Sequence, residues 1–248
     1  MKKAIVIILA CLAVFACGKH PAAKAARSEV DSLLVRVDSS MQAAHDRLEK
    51  IAASKPAQQR DLATLFIYMR EVRPIYVGVD FFADQHGVAV TQNNMQGDLT
   101  MYNFWNDLSQ GFEVFGASFV EPFYGRPAVL VCLPVKTEAG IVGYVGSVIY
   151  VEGLRQRLMD EVPMAPGHVF FVLDDQTRTL LDSGDLALTF DEPLQQPNES
   201  LQKAIEEMMA SEKGTVSYTW DGVTKETEFR QSELLGWRVA VSHPVEQK

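Results

Sequence analysis

The stretch GIVGYVGSVIYV, residues 140–151, carries glycines three apart at Gly140, Gly143 and Gly146. Such spacing occurs in loops that cradle phosphate, and a phosphate loop would make this a nucleotide-binding chain. That geometry needs the glycines between a strand and a helix whose N-terminus is aimed at the phosphate. Here they lie inside a β-branched run, no Lys-Ser/Thr follows Gly146, and a helical pattern starts only after Glu152. Glycine inside a strand marks a bend or the close approach of another group. The stretch therefore reads as a strand, and its two-residue period puts Tyr144, Gly146, Val148 and Tyr150 on one face.

Working outward, PAVLVCLPV precedes it through the hairpin loop KTEAG, and FEVFGASFV comes before that. Upstream, IYVGVDFFADQHGVAV reads as strand, turn and strand, with Gly87 after a polar corner. The polar stretch TQNNMQGDLT leads into MYNFWNDLS, read as a short helix, and EGLRQRLMDEV closes the unit as another. The same order then recurs. HVFFVLD and RTLLDS flank the turn DQT, LQKAIEEMMAS is an amphipathic helix, and TVSYTW, VTKETEFR and WRVAVSH are strands. Asp221-Gly222 is a two-residue hairpin signal. PMAPG at 163–167 marks the seam, as Pro/Gly-rich linkers do between modules.

Ahead of both units, residues 28–51 place Val30, Leu33, Leu34, Val37, Met41, Ala44, Leu48 and Ile51 at alternating spacings of three and four. That is one apolar stripe on a long helix, with charged residues on its other faces. The stripe suits either a face laid along a domain or a dimerising coiled coil; its length is short for a free coil. SKPAQQRD breaks the pattern at Pro56. A second helix follows, with Leu62, Leu65, Phe66, Met69 and Val72, and ends before Pro74. The fold class expected is α+β, a long N-terminal helix followed by two modules that are each an antiparallel sheet flanked by helices.

The first residues, MKKAIVIILACLAVFACGKH, put two lysines ahead of a short apolar run at 4–16, the pattern of a secretory signal. The run is too short to span a bilayer as a helix, which takes roughly 20 residues. VFAC resembles a bacterial lipobox, which implies cleavage before Cys17 and acylation of it; Cys11 would leave too short an apolar run. Ordinary cleavage near Ala16 without a lipid is the alternative. Several acyl chains on one residue make a stable anchor, and Gly18 resembles an outer-membrane sorting signal. Loss of Lys2 and Lys3 with the leader takes the formal charge from −9 to −11. Nucleic-acid binders carry basic patches, so no nucleic-acid partner is expected. Cys132 has no partner in PAVLVCLPV and reads as a buried thiol.

The strand-strand-helix-strand-strand-strand order is that of a PAS-like domain. A long helix followed by two such units resembles the double Cache (dCache) extracytoplasmic sensor domains of bacteria. The resemblance covers nearly all of the mature chain, through VGVDFFADQHGVAV, GDLTMYNFW, GRPAVLVCLPVKTEAGIVGYVGSVIYVEGL, HVFFVLDDQTRTLLDSGD and LLGWRVAVSHP. Joined to the leader and lipobox read above, it gives the expected division: a signal peptide at 1–16, a lipidated N-terminus and long helix at 17–57, a membrane-distal module at 58–162 and a second module at 163–248. It also implies a small-molecule pocket in the distal module. In the amino-acid-binding branch of the family an Arg and an Asp clamp the ligand. Those positions fall on or near Tyr102 and on Val148, so the charge pair is missing.

The walls left by this resemblance are aromatic but for one valine: Tyr102, Phe104 and Trp105 on one segment, Phe119 on the next strand, and Tyr144 with Val148 on the last. Gly146 would leave room for a ligand beside the sheet. An aromatic compound, an amine held by π-faces or an organic acid are the candidate ligands, with Arg126 placed in a loop as a solvated charge. The same side chains also suit a plain hydrophobic core.

Catalysis finds little support. The five histidines, His20, His45, His86, His168 and His243, are scattered, and GASFV lacks the second glycine of a nucleophile elbow around Ser118. Asp174, Asp175 and Asp182 lack the spacing of a calcium loop and read as turn residues. No catalytic residue, metal or cofactor is expected. With the sequence ending at Lys248, the expectation is a lipid-anchored binding protein without a signalling domain of its own. The alternative is an accessory lipoprotein that docks a membrane sensor or envelope partner and has no working pocket.

Overall fold

A computed structural model describes residues 21–175, 179–182 and 198–245. The leader, Cys17 and most of the DQT turn lie outside the described residues. Helix α1 (Pro21–Ala52) opens on a proline, which tolerates the first helical position because its missing N–H has no partner there. Every residue of the anticipated stripe except Leu34 is fully buried, and Leu34 packs partly against the same cluster. The stripe lies along the body of this chain, so it is not free for a coiled coil. Pro56 does not simply interrupt the helices. It sits in a single turn, α2 (Lys55–Gln58), ahead of α3 (Leu62–Glu71). Asp61 caps α3 by accepting from the backbone N–H of Thr64 at 3.3 Å.

The first module is a six-stranded antiparallel sheet in the order β3-β2-β1-β6-β5-β4. Its strands are β1 (Val77–Ala83), β2 (Val88–Thr91), β3 (Gln96–Asp98), β4 (Val114–Val120), β5 (Pro127–Thr137) and β6 (Gly140–Tyr150). Strand β3 lies in the stretch TQNNMQGDLT, whose polarity hid it. The sheet is covered on both sides. Val129, Val131, Leu133, Val145 and Ile149 join the α1 cluster, while Leu130, Cys132, Tyr144 and Val148 join a second cluster on the opposite face. Burial of both faces explains why β5 and β6 read as almost continuous apolar runs rather than as alternating ones.

Helix α5 (Val151–Glu161) leads into the second module, a five-stranded sheet ordered β8-β7-β11-β10-β9. It comprises β7 (Val169–Leu173), β8 (Thr179–Asp182), β9 (Lys213–Trp220), β10 (Val223–Gln231) and β11 (Arg238–Pro244). Helix α6 (Glu199–Met209) is capped by Asn198 and buries Leu201, Ala204, Ile205 and Met208, one face of a 3.6-residue period. Asp221 and Gly222 both take positive φ, 49° and 79°, as the tightest hairpin turn requires.

Polar residues of α1 also turn inward. Arg47 donates to both oxygens of Asp80 on β1 (3.0 and 2.6 Å), to Ser147 Oγ on β6 (2.9 Å) and to the Met69 carbonyl (2.9 Å). Towards the other end, Glu29 accepts from the Ala165 N–H (2.7 Å) and contacts His168 Nδ1 at 2.6 Å; Arg27 meets Glu228 at 2.8 Å. The helix is therefore fastened to each sheet by buried charge as well as by its apolar stripe.

Candidate ligand-binding site

Asp98 sets up the segment that covers the outer face of the first sheet. Its carboxylate accepts from the Thr100 N–H (2.9 Å) and hydroxyl (2.6 Å), starting the 3-10 turn Leu99–Met101. The chain then passes Tyr102 and Phe104 into α4 (Trp105–Ser109). Tyr102 and Phe104 stack with centroids 5.1 Å apart and planes 4° apart, and Phe119 of β4 stands edge-on to both at 5.3 and 5.4 Å. Trp105 meets Tyr144 edge-on at 5.5 Å. Tyr102 donates its hydroxyl proton to the Val120 carbonyl at 2.8 Å, tying this segment to β4.

Gly146 does not open a space beside the sheet. It lies directly across the β1–β6 ladder from Phe81, whose ring occupies the place a Cβ would take. Phe81 in turn packs on Phe123 at 5.9 Å. Tyr144 is 3% exposed and Val148 fully buried. The sheet face under Trp105 is thus filled by the protein's own rings, and the glycine serves close packing between strands.

The room lies one strand further out, along β4, the edge of the sheet. Gly116, at φ 87°, makes a bulge that shifts the β4–β5 register between Phe115 and Ala117. The bulge brings β4 against the second module: Leu235 and Trp237 flank Gly116, and Ser118 donates to Asp174 Oδ2 at 2.5 Å. Beside this contact is a cleft of about 610 Å³ lined by Tyr102, Phe104 and Phe119 together with Phe115, Asp175 and Trp237. Trp105, Tyr144, Gly146 and Val148 do not line it. Phe115 and Asp175 escaped the sequence reading because one depends on the bulge and the other comes from a different module. The glycine interrupting FEVFGASFV was the available signal for the bulge.

Burial holds two phenols and the thiol around the sheet face in their neutral forms. Burial, with lesser contributions from Glu121 and Asp98, raises the Tyr102 phenol. Burial pushes Tyr150 to about 12, partly opposed by Arg126, whose guanidinium sits 3.8 Å above the Tyr150 ring. Arg126 is thus a ring partner rather than a merely solvated charge. Burial also pushes the Cys132 thiol up, away from any reactive thiolate. Glu121 is buried and shapes the β4–β5 loop by accepting from the N–H groups of Phe123 (2.7 Å), Tyr124 (3.0 Å) and Arg126 (3.1 Å). Among the described residues no group of His, Cys, Asp or Glu is arranged to hold a metal ion, and no helix is long and apolar enough to cross a membrane.

No protein family and no curated protein matches the sequence. Solved structures do match the fold. Methyl-accepting chemotaxis protein X aligns with a TM-score of 0.71 at 12% identity, over 90% of this chain and 97% of that one. The sensor domain of the V. cholerae histidine kinase DctB gives 0.66 at 12% identity, covering 89% and 96%. The sensory domain of the Campylobacter jejuni chemoreceptor Tlp3 with isoleucine bound gives 0.63 at 9% identity, covering 90% and 92%. The fold is that of Cache, PAS-like extracytoplasmic sensor domains.

Proposed function

We propose that this chain is an extracytoplasmic small-molecule-binding protein of the sensor type. Acyl chains on Cys17 hold it to the envelope, at the periplasmic face of an outer membrane, and its ligand sits in the β4 cleft. The observation that carries the reading is that cleft: an aromatic-walled opening of about 610 Å³, within the size range of small-molecule sites. It lies in a fold whose solved neighbours are ligand-binding sensor domains.

The test is a thermal-shift screen of amino acids, amines, organic acids and aromatics on the purified mature domain. A binder at a hundredfold excess over its Kd adds about 2.7 kcal/mol. Replacing half-buried Tyr102 by Ala should weaken such a hit by about tenfold, the loss of a stacking wall; a hit indifferent to that change binds elsewhere. Loss of labelled fatty-acid incorporation in Cys17→Ser checks the tether, and unchanged labelling would remove it.

A second reading has its own support, since Phe81 fills the sheet-face space over Gly146. In that reading the chain docks a membrane sensor or envelope partner and holds no ligand. A complete screen without a shift selects it.

A further inference from the structure

We infer that a second cleft, between α3 and the ends of β1 and β2, holds a small oxyanion: the carboxylate, sulfate or phosphate head of a compact ligand. The cleft encloses about 270 Å³. It shares no lining residue with the β4 cleft, and β6 and β5 stand between β1 and β4 in the sheet. The two sites are therefore separate, and occupancy of one does not require the other.

The chain as a whole is acidic, with a formal charge of −9, yet the charged side chains facing this cleft are Arg70, Arg73 and Asp80. Asp80 is already neutralised, because Arg47 donates to both its oxygens and Ser147 to one of them at 2.7 Å. Arg27, Arg36, Arg155, Arg157 and Arg230 each meet a carboxylate. Arg70, in the last turn of α3, and Arg73, just beyond it, meet none among the described residues. Both are exposed, and two exposed cations alone would simply be solvated.

A buried donor on the same wall points to a ligand. Thr91 lines the cleft and is 4% exposed. Its Oγ1 accepts from the Met95 N–H at 3.3 Å, and among the described residues nothing accepts its hydroxyl proton. A hydroxyl is both donor and acceptor, and buried polar groups in folded proteins find partners. The nearby carbonyls are engaged: Met69 takes Arg47 (2.9 Å), Gly78 takes Arg73 (3.5 Å) and Thr91 takes the Asn94 N–H (3.0 Å). The backbone N–H groups of Gln92 and Asn93 bond nothing among the described residues. Donors and positive charge are thus on offer where the carboxylate and these carbonyls are spent, which suits a ligand rich in acceptors and negatively charged.

Guanidinium forks match carboxylate and phosphate oxygens in pairs. Phe66, Met69 and Tyr124 add apolar area to the wall, and the volume lies just below the range of drug-sized sites, so the ligand has few heavy atoms.

Calorimetric titration of the lipid-free mature protein with benzoate, neutral benzamide, inorganic phosphate and sulfate tests the inference. The expected result is saturable binding of an oxyanion, with benzamide at least about tenfold weaker than the best anion. Benzoate as the tightest probe assigns an organic carboxylate to the site, and phosphate or sulfate as the tightest assigns an inorganic head; either bears the site out. Arg70→Gln with Arg73→Gln should weaken the anion at least about tenfold. Thr91→Val should weaken it about fivefold, the loss of one hydrogen bond, and Thr91→Ser should restore it, a rescue that a merely structural threonine would not give. Tyr102→Ala, in the other cleft, should leave it unchanged. Benzamide as tight as the anions, an anion indifferent to the double arginine variant or to Thr91→Val, or no saturable heat from any oxyanion would each overturn the inference.

Discussion

Phe81 and Gly146 fit each other across the β1–β6 ladder as a ring over a bare backbone. A methyl group at position 146 would overlap that ring, so Gly146→Ala must displace Phe81 within a filled cluster where it already packs on Phe123. Overpacking of this kind costs about 1–3 kcal/mol. The expected outcome is a lower urea midpoint at unchanged slope, with partial recovery when Phe81→Leu is added. A Gly146→Ala protein with the wild-type midpoint would mean that the ring moves aside easily and that the sheet face can open. The sequence could say that a glycine in a strand admits a close neighbour, but not which neighbour. The same limit divides the aromatic residues. Parity along β6 correctly put Tyr144 and Val148 on one face, yet parity does not tell a packed face from an open one. Tyr102, Phe104 and Phe119 reach the cleft because β4 is an edge strand, a property set by strand order.

At the scale of elements, α1 shows where a periodic pattern is informative and where it is silent. Its three-and-four spacing located the buried stripe, because apolar burial repeats with the helix. It placed the charged residues on the other faces without saying what they meet there; Arg47 and Glu29 turn out to be buried, paired with Asp80 and His168. A charge that meets a partner from a distant strand looks, in sequence, like one that meets water. The side chains of Arg47 and Asp80 are 7% and 6% exposed, so removing one leaves the other buried without a countercharge, held only by its hydrogen bonds to Ser147 and, for Arg47, to the Met69 carbonyl. Arg47→Met should destabilise by about 3–5 kcal/mol, and Arg47→Met with Asp80→Leu should recover most of that loss. Urea denaturation of the two single variants and the double measures it. Single variants as stable as the parent would show that this tie does not hold α1 to the first sheet.

Across the whole molecule, the order of strands and helices was legible, apart from β3 and the single turn α2, because each of the others has its own local period and turn chemistry. The sharing of the core was not. The seam at 163–167 separates two sheets that share no strand, but one hydrophobic cluster runs from Val131 and Val145 of the first sheet, along α1, to Phe170, Val172, Val239 and Val241 of the second. Each module thus completes its core with the same helix, whose early residues Arg27, Glu29 and Asp31 also bond Glu228, His168 and Arg230. Two consequences follow from that arrangement. The lipid-free mature chain should melt in one calorimetric transition with equal calorimetric and van't Hoff enthalpies. Residues 163–248 made alone would expose the α1-facing valines and leave Glu228 without Arg27, and should show no cooperative melt by circular dichroism. Restoring a peptide of residues 21–52 should recover part of the ordered signal, because the missing face would again be covered. Were the fragment to fold sharply by itself, α1 would be a connection between independent modules, and a ligand in the β4 cleft would join two bodies instead of tightening one.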